Sequence, residues 1–186
     1  LQTRVSGLFD ALGLTVVNEY PADSYIRRGL HRSVSGAVLN GLSIPSATLE
    51  LGSWMHVDPG VVAAGLTVIY NALRWAGMLP GPIQPVEGVP VLRPGYAVRR
   101  HAYPVMPAAG IAEPLLRPGE LIAPGQVLAQ VRDIFGKPLG RNNGLLSADF
   151  EGFVLGWRHG VVRYKGETIM TLGIRDDSEA IIAYPE

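Results

Sequence analysis

Apolar residues in the first part of the chain recur at the spacing of amphipathic helices, with short apolar runs between them. Residues 2–12 show this spacing, and Gly13 ends the pattern before the run Leu-Thr-Val-Val at residues 14–17. This order predicts a helix followed by a strand. A second amphipathic helix is predicted over residues 24–41.

A second predicted strand, residues 46–51, is followed by the typical helix start Asp58-Pro59. Asp58 can cap the helix by accepting hydrogen bonds from its first N–H groups. Proline suits the first helical position because the N–H group that it lacks would have no partner within the helix. We expect this helix to end at Gly77 and to bury one apolar face, formed by Val62, Leu66, Ile69, Tyr70 and Leu73. The alternation of helices and strands predicts an α/β layer with largely parallel strands.

A stretch rich in proline and glycine, MLPGPIQPVEGVPVLRPG, follows this helix and cannot sustain a further one. Beyond it the chain consists of short β-like runs separated by Pro-Gly, Gly and Asn-Asn-Gly turns. We therefore predict two domains. Residues 1–88 form the α/β part, and residues 89–186 form a small all-β domain.

The β region contains a weak internal repeat, in which residues 110–133 align with residues 152–176. Two such units packed face to face resemble the barrel-sandwich of biotinyl and lipoyl carrier domains. The residues predicted to be buried between them are Leu115, Val127, Leu128, Val131, Val154, Val162, Ile169 and Leu172. Lys137 lies between the two halves, where a carrier presents its modified lysine, but the long Gly- and Pro-flanked spacer favours an ordinary surface turn.

The composition excludes several classes of function but does not identify one. The chain has 186 residues, with sixteen basic and sixteen acidic side chains, so no net charge attracts it to nucleic acid or to an anionic membrane. It has no cysteine, which excludes disulfides, thiolate nucleophiles and thiolate zinc ligands. No apolar run reaches the roughly 18 residues of a membrane span. We expect a cytoplasmic protein.

Glu50 is the strongest candidate for chemistry, because it is a carboxylate at the end of an apolar strand, in IPSATLELG. Open α/β sheets place their ligand crevices at the carboxyl ends of strands, and Gly52 would let the chain turn away from such a site. A partly desolvated carboxylate there suits a general base. The alternative is a glutamate that faces solvent or pairs with an arginine.

The remaining polar residues give weaker signals. The four histidines, His31, His56, His101 and His159, show none of the usual spacings of zinc ligands. Arginines cluster at residues 27–32 and at Arg99-Arg100, where we expect surface ion pairs, with a clamp for a substrate carboxylate as the alternative. No serine has a histidine at a telling spacing, so a nucleophilic triad is not indicated.

The order of these segments, IPSATLELG, then DPGVVAAGLTVIYNALRWAGML, then the proline-rich joint and the two β repeats, resembles the C-terminal half of the succinylglutamate desuccinylase and aspartoacylase family. The resemblance implies a zinc-carboxypeptidase-like fold and hydrolysis of N-acylated small molecules. In that family the Glu of T-x-E-x-G activates the zinc-bound water. It maps onto Glu50 of Thr48-Leu49-Glu50-Leu51-Gly52.

In the family, the zinc ligands and the arginine and asparagine residues that hold the substrate carboxylate lie upstream of this motif, and this sequence matches none of them. We therefore assign Glu50 as the catalytic base, leave the substrate-binding residues unassigned and expect no zinc on this chain alone. The start at Leu1 favours the C-terminal part of a longer zinc deacylase over a relative that lost its metal. We expect a small N-acylated substrate, no nucleic-acid or membrane partner, and a chain compatible with a homo-oligomer. The alternative is a non-catalytic relative whose β domain binds a ligand or partner.

Overall fold

The computed structural model describes residues 1–52 and 56–178. These residues divide into two compact units. The second unit comprises residues 17–20 and 95–177. The first comprises the other described residues, which are 1–16, 21–52, 56–94 and 178.

The first unit is built from helices. They are α1 (Gln2–Leu12), α2 (Ala22–Arg27), a 3-10 turn (Leu30–Arg32), α3 (Val34–Leu42) and α4 (Pro59–Trp75). Gly13 ends α1 in the left-handed conformation, with φ 73°. The Asp58 carboxylate caps α4 by accepting hydrogen bonds from the N–H groups of Gly60 and Val61, at 2.8 and 3.2 Å. Among the described residues, no helix has both the length and the apolar character that crossing a membrane requires.

The single helix predicted over residues 24–41 is wrong, because the chain breaks twice within it. Gly29 adopts φ 71°, a left-handed conformation that ends the first helical piece. Ser33 is extended, and its Oγ accepts a hydrogen bond from Gly36 N at 3.1 Å. Ser33 is therefore the N-cap of a new helix, and this local cap outweighs the apolar periodicity that runs through it.

The strands predicted at residues 14–17 and 46–51 are also corrected, because neither segment belongs to a sheet in the described part of the chain. Residues 44–51 have no regular secondary structure and belong to neither sheet there. A β-strand needs a neighbouring strand to pair its backbone N–H and C=O groups. The chain therefore has the mixed helix and sheet content of an α/β protein, but the parallel sheet expected in its first part is not formed by these residues.

Helix α4 turns a different face inward from the one predicted. Its buried residues are the small or slim Ala64, Gly65, Val68 and Asn71. The large apolar residues assigned to the buried face are about half exposed, namely Val62 (47%), Leu66 (53%), Ile69 (51%) and Tyr70 (49%). Close packing explains the difference in part, since a Cβ added at Gly65 would lie 2.9 Å from Leu51 Cδ1. At position 65 this approach leaves no room for a side chain.

A buried asparagine fastens the proline-rich segment to α4. Asn71 is fully buried, and its amide donates to the Gln84 carbonyl oxygen at 2.8 Å and accepts from Gln84 N at 2.9 Å. Prolines in this segment supply no N–H for secondary structure, so the asparagine satisfies backbone groups that no helix or strand can.

The second unit is all-β, as the sequence predicts, apart from one 3-10 turn (Asn142–Gly144). Its strands are β1 (Val98–Ala102), β2 (Gly110–Pro114), β3 (Leu121–Ile122), β4 (Val127–Arg132), β5 (Leu145–Ser147), β6 (Gly152–Trp157), β7 (Val162–Arg163) and β8 (Met170–Arg175). They form two antiparallel four-stranded sheets, in the orders β1-β8-β6-β3 and β5-β4-β2-β7.

The two sheets are related by the internal repeat. Replacing each strand of the order β1-β8-β6-β3 by the strand four positions away gives β5-β4-β2-β7, which is the order of the other sheet. Each half of the repeat therefore lends strands to both sheets. Leu128, Val131, Val154, Ile169 and Leu172 are almost fully buried between them, as predicted.

Two residues predicted for this core, Leu115 and Val162, are instead 46% and 64% exposed. On β7 the inward side chain is that of Arg163, since neighbouring residues of a strand face opposite ways. The buried guanidinium of Arg163 donates to the carbonyl oxygens of Arg158, His159 and Val162, at 2.7 to 2.9 Å, and so fixes the preceding loop.

We predict that Asn71→Leu lowers the free energy of unfolding by about 2–4 kcal/mol, because it leaves both Gln84 backbone groups without their partner. Urea denaturation measures the change. Asn40→Ala is the control, since Asn40 is exposed and makes one hydrogen bond to Gly36 O within its own helix. Its effect should stay within about 0.5 kcal/mol. Equal effects of the two substitutions would contradict the role of Asn71.

Candidate functional site

The candidate site is the segment of residues 44–52, which follows α3 and contains Glu50. One side of this segment is fastened to the start of α3. Ser46 Oγ donates to the Ser35 carbonyl oxygen at 2.7 Å, and Thr48 Oγ1 lies 3.2 Å from Ser35 Oγ. These hydroxyl contacts were not foreseen from the sequence, although Thr48 belongs to the T-x-E-x-G motif.

The end of the segment packs on α4. Leu51 contacts the helix at Gly65, and a Cβ at Gly52 would lie 3.2 Å from Val61 Cγ1. Gly52 has φ 61°, a conformation that other residues adopt only with strain. The backbone at Gly52 therefore agrees with the expectation that the chain turns away two residues after Glu50. Ser46 and Thr48 thus contact α3, and Leu51 contacts α4.

Glu50 is exposed, so the described residues do not provide the desolvated pocket expected around it. An open groove of about 470 Å³ lies beside the segment, between it and α3. The groove is lined by Val34, Ser35, Val38, Ser46, Ala47 and Thr48. The segment that contains the exposed Glu50 therefore also forms one wall of this groove. Apolar side chains and hydroxyl groups line the groove.

The four histidines lie on four different elements or loops of the chain. His31 is buried in the 3-10 turn, His56 precedes α4, His101 lies on β1, and His159 lies in the loop before β7. Among the described residues, no three His, Asp or Glu side chains come close enough together to hold a metal ion. The zinc that the family resemblance implies does not fit the side chains described here.

The basic residues weighed as a carboxylate clamp have protein partners in several cases. Arg27 pairs with Asp23 at 2.7 Å on the exposed face of α2, and Arg100 lies 3.4 Å from Glu19. Lys137 is exposed in a turn held by Asp133, whose Oδ1 accepts from Phe135 N and Lys137 N. The contacts of Arg27 and Arg100 match the expectation of ion pairs within the protein, rather than a clamp for a substrate carboxylate.

An aromatic cluster in the second unit was missed at the sequence level. The His101 ring stacks on Tyr103 at 5.6 Å and meets the edge of Phe150 at 5.3 Å, while Tyr103 Oη donates to Ser147 O at 2.7 Å. Burial among these rings lowers the pKa of His101, and Arg99 lowers it further, against a smaller opposite effect of Asp149. His101 and Tyr103 alternate along the chain, but nothing in the sequence places Phe150 beside them.

The fold is shared with solved structures of the succinylglutamate desuccinylase and aspartoacylase family. A succinylglutamate desuccinylase from Silicibacter sp. superposes with a TM-score of 0.68 over 94% of this chain, at 18% identity. The ectoine utilization protein EutE (DoeB) from Ruegeria pomeroyi, in a product-bound structure, gives 0.58 over 75% at 20% identity. A succinylglutamate desuccinylase/aspartoacylase from Rhodobacter sphaeroides gives 0.56 over 75% at 18% identity.

These likenesses confirm the predicted family resemblance at the level of the fold. The chain spans only part of each structure, namely 50%, 41% and 43% of their lengths. No protein-family model matches the sequence, and no characterised protein matches it significantly. The chain therefore corresponds to about half of the larger structures that share its fold.

We predict that the purified chain retains no stoichiometric zinc after dialysis, because its described residues supply no group of three ligands. Elemental analysis by mass spectrometry measures the metal content. One tightly bound zinc per chain would show that the ligand assignment is wrong.

We also predict that His101 makes the second unit more stable at neutral than at acidic pH. The folded-state pKa of His101 lies below 6.5, so the unfolded chain binds the proton more readily. Stability from this group is present above the unfolded value and is lost as the pH falls through the folded one. NMR titration of His101 gives the folded-state pKa, and denaturation between pH 5 and 8 should show a shallower pH dependence for His101→Gln. A titration midpoint above 6.5 would contradict the prediction.

Proposed function

We propose that this chain forms part of a deacylase that hydrolyses an N-acyl amino acid or a related amide, with Glu50 as its general base. The observation that carries the proposal is the likeness of 94% of the chain to a succinylglutamate desuccinylase. The motif Thr48-Leu49-Glu50-Leu51-Gly52 supports it at the level of residues. The substrate class is taken from the family and is a proposal for this chain.

The chemistry assigned to Glu50 needs an accessible carboxylate on a fixed backbone. In amide hydrolysis a general base takes a proton from the attacking water and returns it to the leaving amine. Glu50 is exposed to incoming molecules, while its neighbours Thr48 and Leu51 are held by α3 and α4. The open groove beside the segment leaves room for part of a substrate.

Zinc dependence is the part of the proposal that this chain does not carry. The described residues bring no metal-ligand group together, so no step is assigned to a metal here. We propose that the ligands belong to the part of a longer enzyme that corresponds to the uncovered half of the related structures. On this proposal the chain alone is inactive.

We further propose that residues 1–88 are the C-terminal part of the α/β catalytic domain and that residues 89–186 are a β domain of the carrier-like barrel-sandwich type. The strand exchange between two four-stranded sheets, related by the repeat, supports this architecture. The alternative function is a non-catalytic relative whose β domain binds a ligand or partner. Loss of turnover on changing Glu50 would separate the two.

We predict that Glu50→Gln lowers kcat for N-acyl amino acids at least about 100-fold in the complete enzyme, since the amide cannot accept the proton of the attacking water. Release of the free amine measures turnover. Zinc content and the folded state, followed by metal analysis and circular dichroism, should not change.

The matched control is Glu87→Gln, which removes one exposed carboxylate of the first unit outside the motif. Its kcat should equal that of the unmodified enzyme. Turnover retained in Glu50→Gln would rule out Glu50 as the base, whereas no turnover in the unmodified enzyme with any N-acyl amino acid would rule out the substrate class.

A further inference from the structure

Ser35, in the first turn of α3, contacts the segment that contains Glu50 at two points. Its carbonyl oxygen accepts a hydrogen bond from Ser46 Oγ at 2.7 Å, and its own Oγ lies 3.2 Å from Thr48 Oγ1. Thr48 precedes Glu50 by two residues. The main chain and the side chain of one helical residue therefore both hold the segment, and the side-chain contact lies close to the proposed base.

The Ser35 hydroxyl belongs to a short line of hydroxyl groups whose donors can be assigned. A serine hydroxyl has one hydrogen to donate, and Ser33 donates its hydrogen to the Leu30 carbonyl oxygen at 2.7 Å. Toward Ser35 Oγ, at 3.5 Å, Ser33 Oγ can therefore only accept. Ser35 then donates to Ser33 and accepts the hydrogen of Thr48. Ser35 is thus the acceptor that orients the Thr48 hydroxyl.

The start of α3 is itself firmly packed, so Ser35 is a fixed support. Gly36, the next residue, is buried, and a Cβ added there would overlap the Leu30 carbonyl oxygen and lie 2.5 Å from Tyr25 Oη. Its N–H donates to Ser33 Oγ at 3.1 Å. Helix α3 therefore begins in direct contact with the 3-10 turn before it, and the position of Ser35 is tied to both elements.

We infer that Ser35 is a positioning residue for Glu50. The inference rests on the proposed function, in which Glu50 is the general base. A base must lie within hydrogen-bond reach of the proton that it takes, and a displacement of about 1 Å can lower a rate about 100-fold. Ser35 holds the chain at Thr48, just before Glu50, and α4 holds it at Leu51, just after. Ser35 therefore acts on the reaction through the backbone that carries the base.

The test removes either hydroxyl of the contact in the complete enzyme, with an N-acyl amino acid as substrate. Ser35→Ala removes the hydroxyl but keeps the carbonyl oxygen that Ser46 uses, and Thr48→Val removes the partner hydroxyl but keeps the shape of the side chain. Each should lower kcat about 10-fold and leave KM unchanged, because the contacts of Ser46 and Leu51 still hold the segment in part.

Two further variants and one control show whether the hydroxyls act through each other. The double variant Ser35→Ala, Thr48→Val should lose about 10-fold in kcat rather than about 100-fold, since both changes break the same contact. Ser35→Thr keeps the hydroxyl and should retain the unmodified kcat. The control is Thr67→Val, which removes a hydroxyl that donates to Ala63 O within α4, and its kcat should not change.

The solvent isotope effect separates a positioning role from a loss of folded enzyme. A smaller folded fraction lowers kcat equally in H₂O and in D₂O and leaves the ratio of the two values unchanged. Proton transfer to a displaced carboxylate is slower, so this ratio should rise in Ser35→Ala and in Thr48→Val. It should return to the unmodified value in Ser35→Thr.

The assay of Glu50→Gln distinguishes failure of this inference from failure of the proposed function. If Glu50→Gln is inactive, an unchanged kcat in Ser35→Ala, losses that multiply in the double variant, or an unchanged isotope effect would each overturn the role of Ser35 alone. Turnover retained in Glu50→Gln would overturn the proposed base and the role of Ser35 with it.

Discussion

The pairing of backbone N–H and C=O groups is the constraint on which the two units of this protein differ most. A strand inside a domain is stable only where a neighbour satisfies these groups. The eight strands of the second unit all have such neighbours, and its two sheets enclose a core of almost fully buried residues. Residues 44–51 contact α3 and α4 but belong to neither sheet in the described part of the chain. The candidate site lies in this segment.

The positions of the small residues show how the first unit is nevertheless fixed. Gly65 and Gly52 allow Leu51 and Val61 to approach, so residues 44–52 keep one path across α4 without a sheet. Asn71, six residues beyond Gly65 on α4, satisfies the backbone of Gln84 in a segment where prolines prevent regular structure. Close packing and one buried amide therefore hold these segments of the first unit that lie outside its helices.

The sequence predicted the elements that depend on local signals. Asp58-Pro59 marked the start of α4, and the repeat predicted the two-layered β unit, because caps and turn residues act within a few positions. The sequence-based prediction failed where a competing local cap or a contact with a distant residue determines the structure. Ser33 capped a new helix inside an apolar pattern, and α4 buried Gly65 and Val68 rather than Leu66, since Leu51 approaches that face. For the site, the motif located Glu50, but its contacts with α3 came only from the structure.

The proposed role of Glu50 as a general base makes physical demands that the described residues meet only in part. General-base catalysis needs a carboxylate held within hydrogen-bond reach of its water, and a base works best with its surroundings partly dry. The described residues hold the backbone beside Glu50 through Thr48 and Leu51, but they leave its carboxylate exposed. The described residues therefore meet the requirement for a fixed backbone beside the proposed base and leave the requirement for partly dry surroundings unmet.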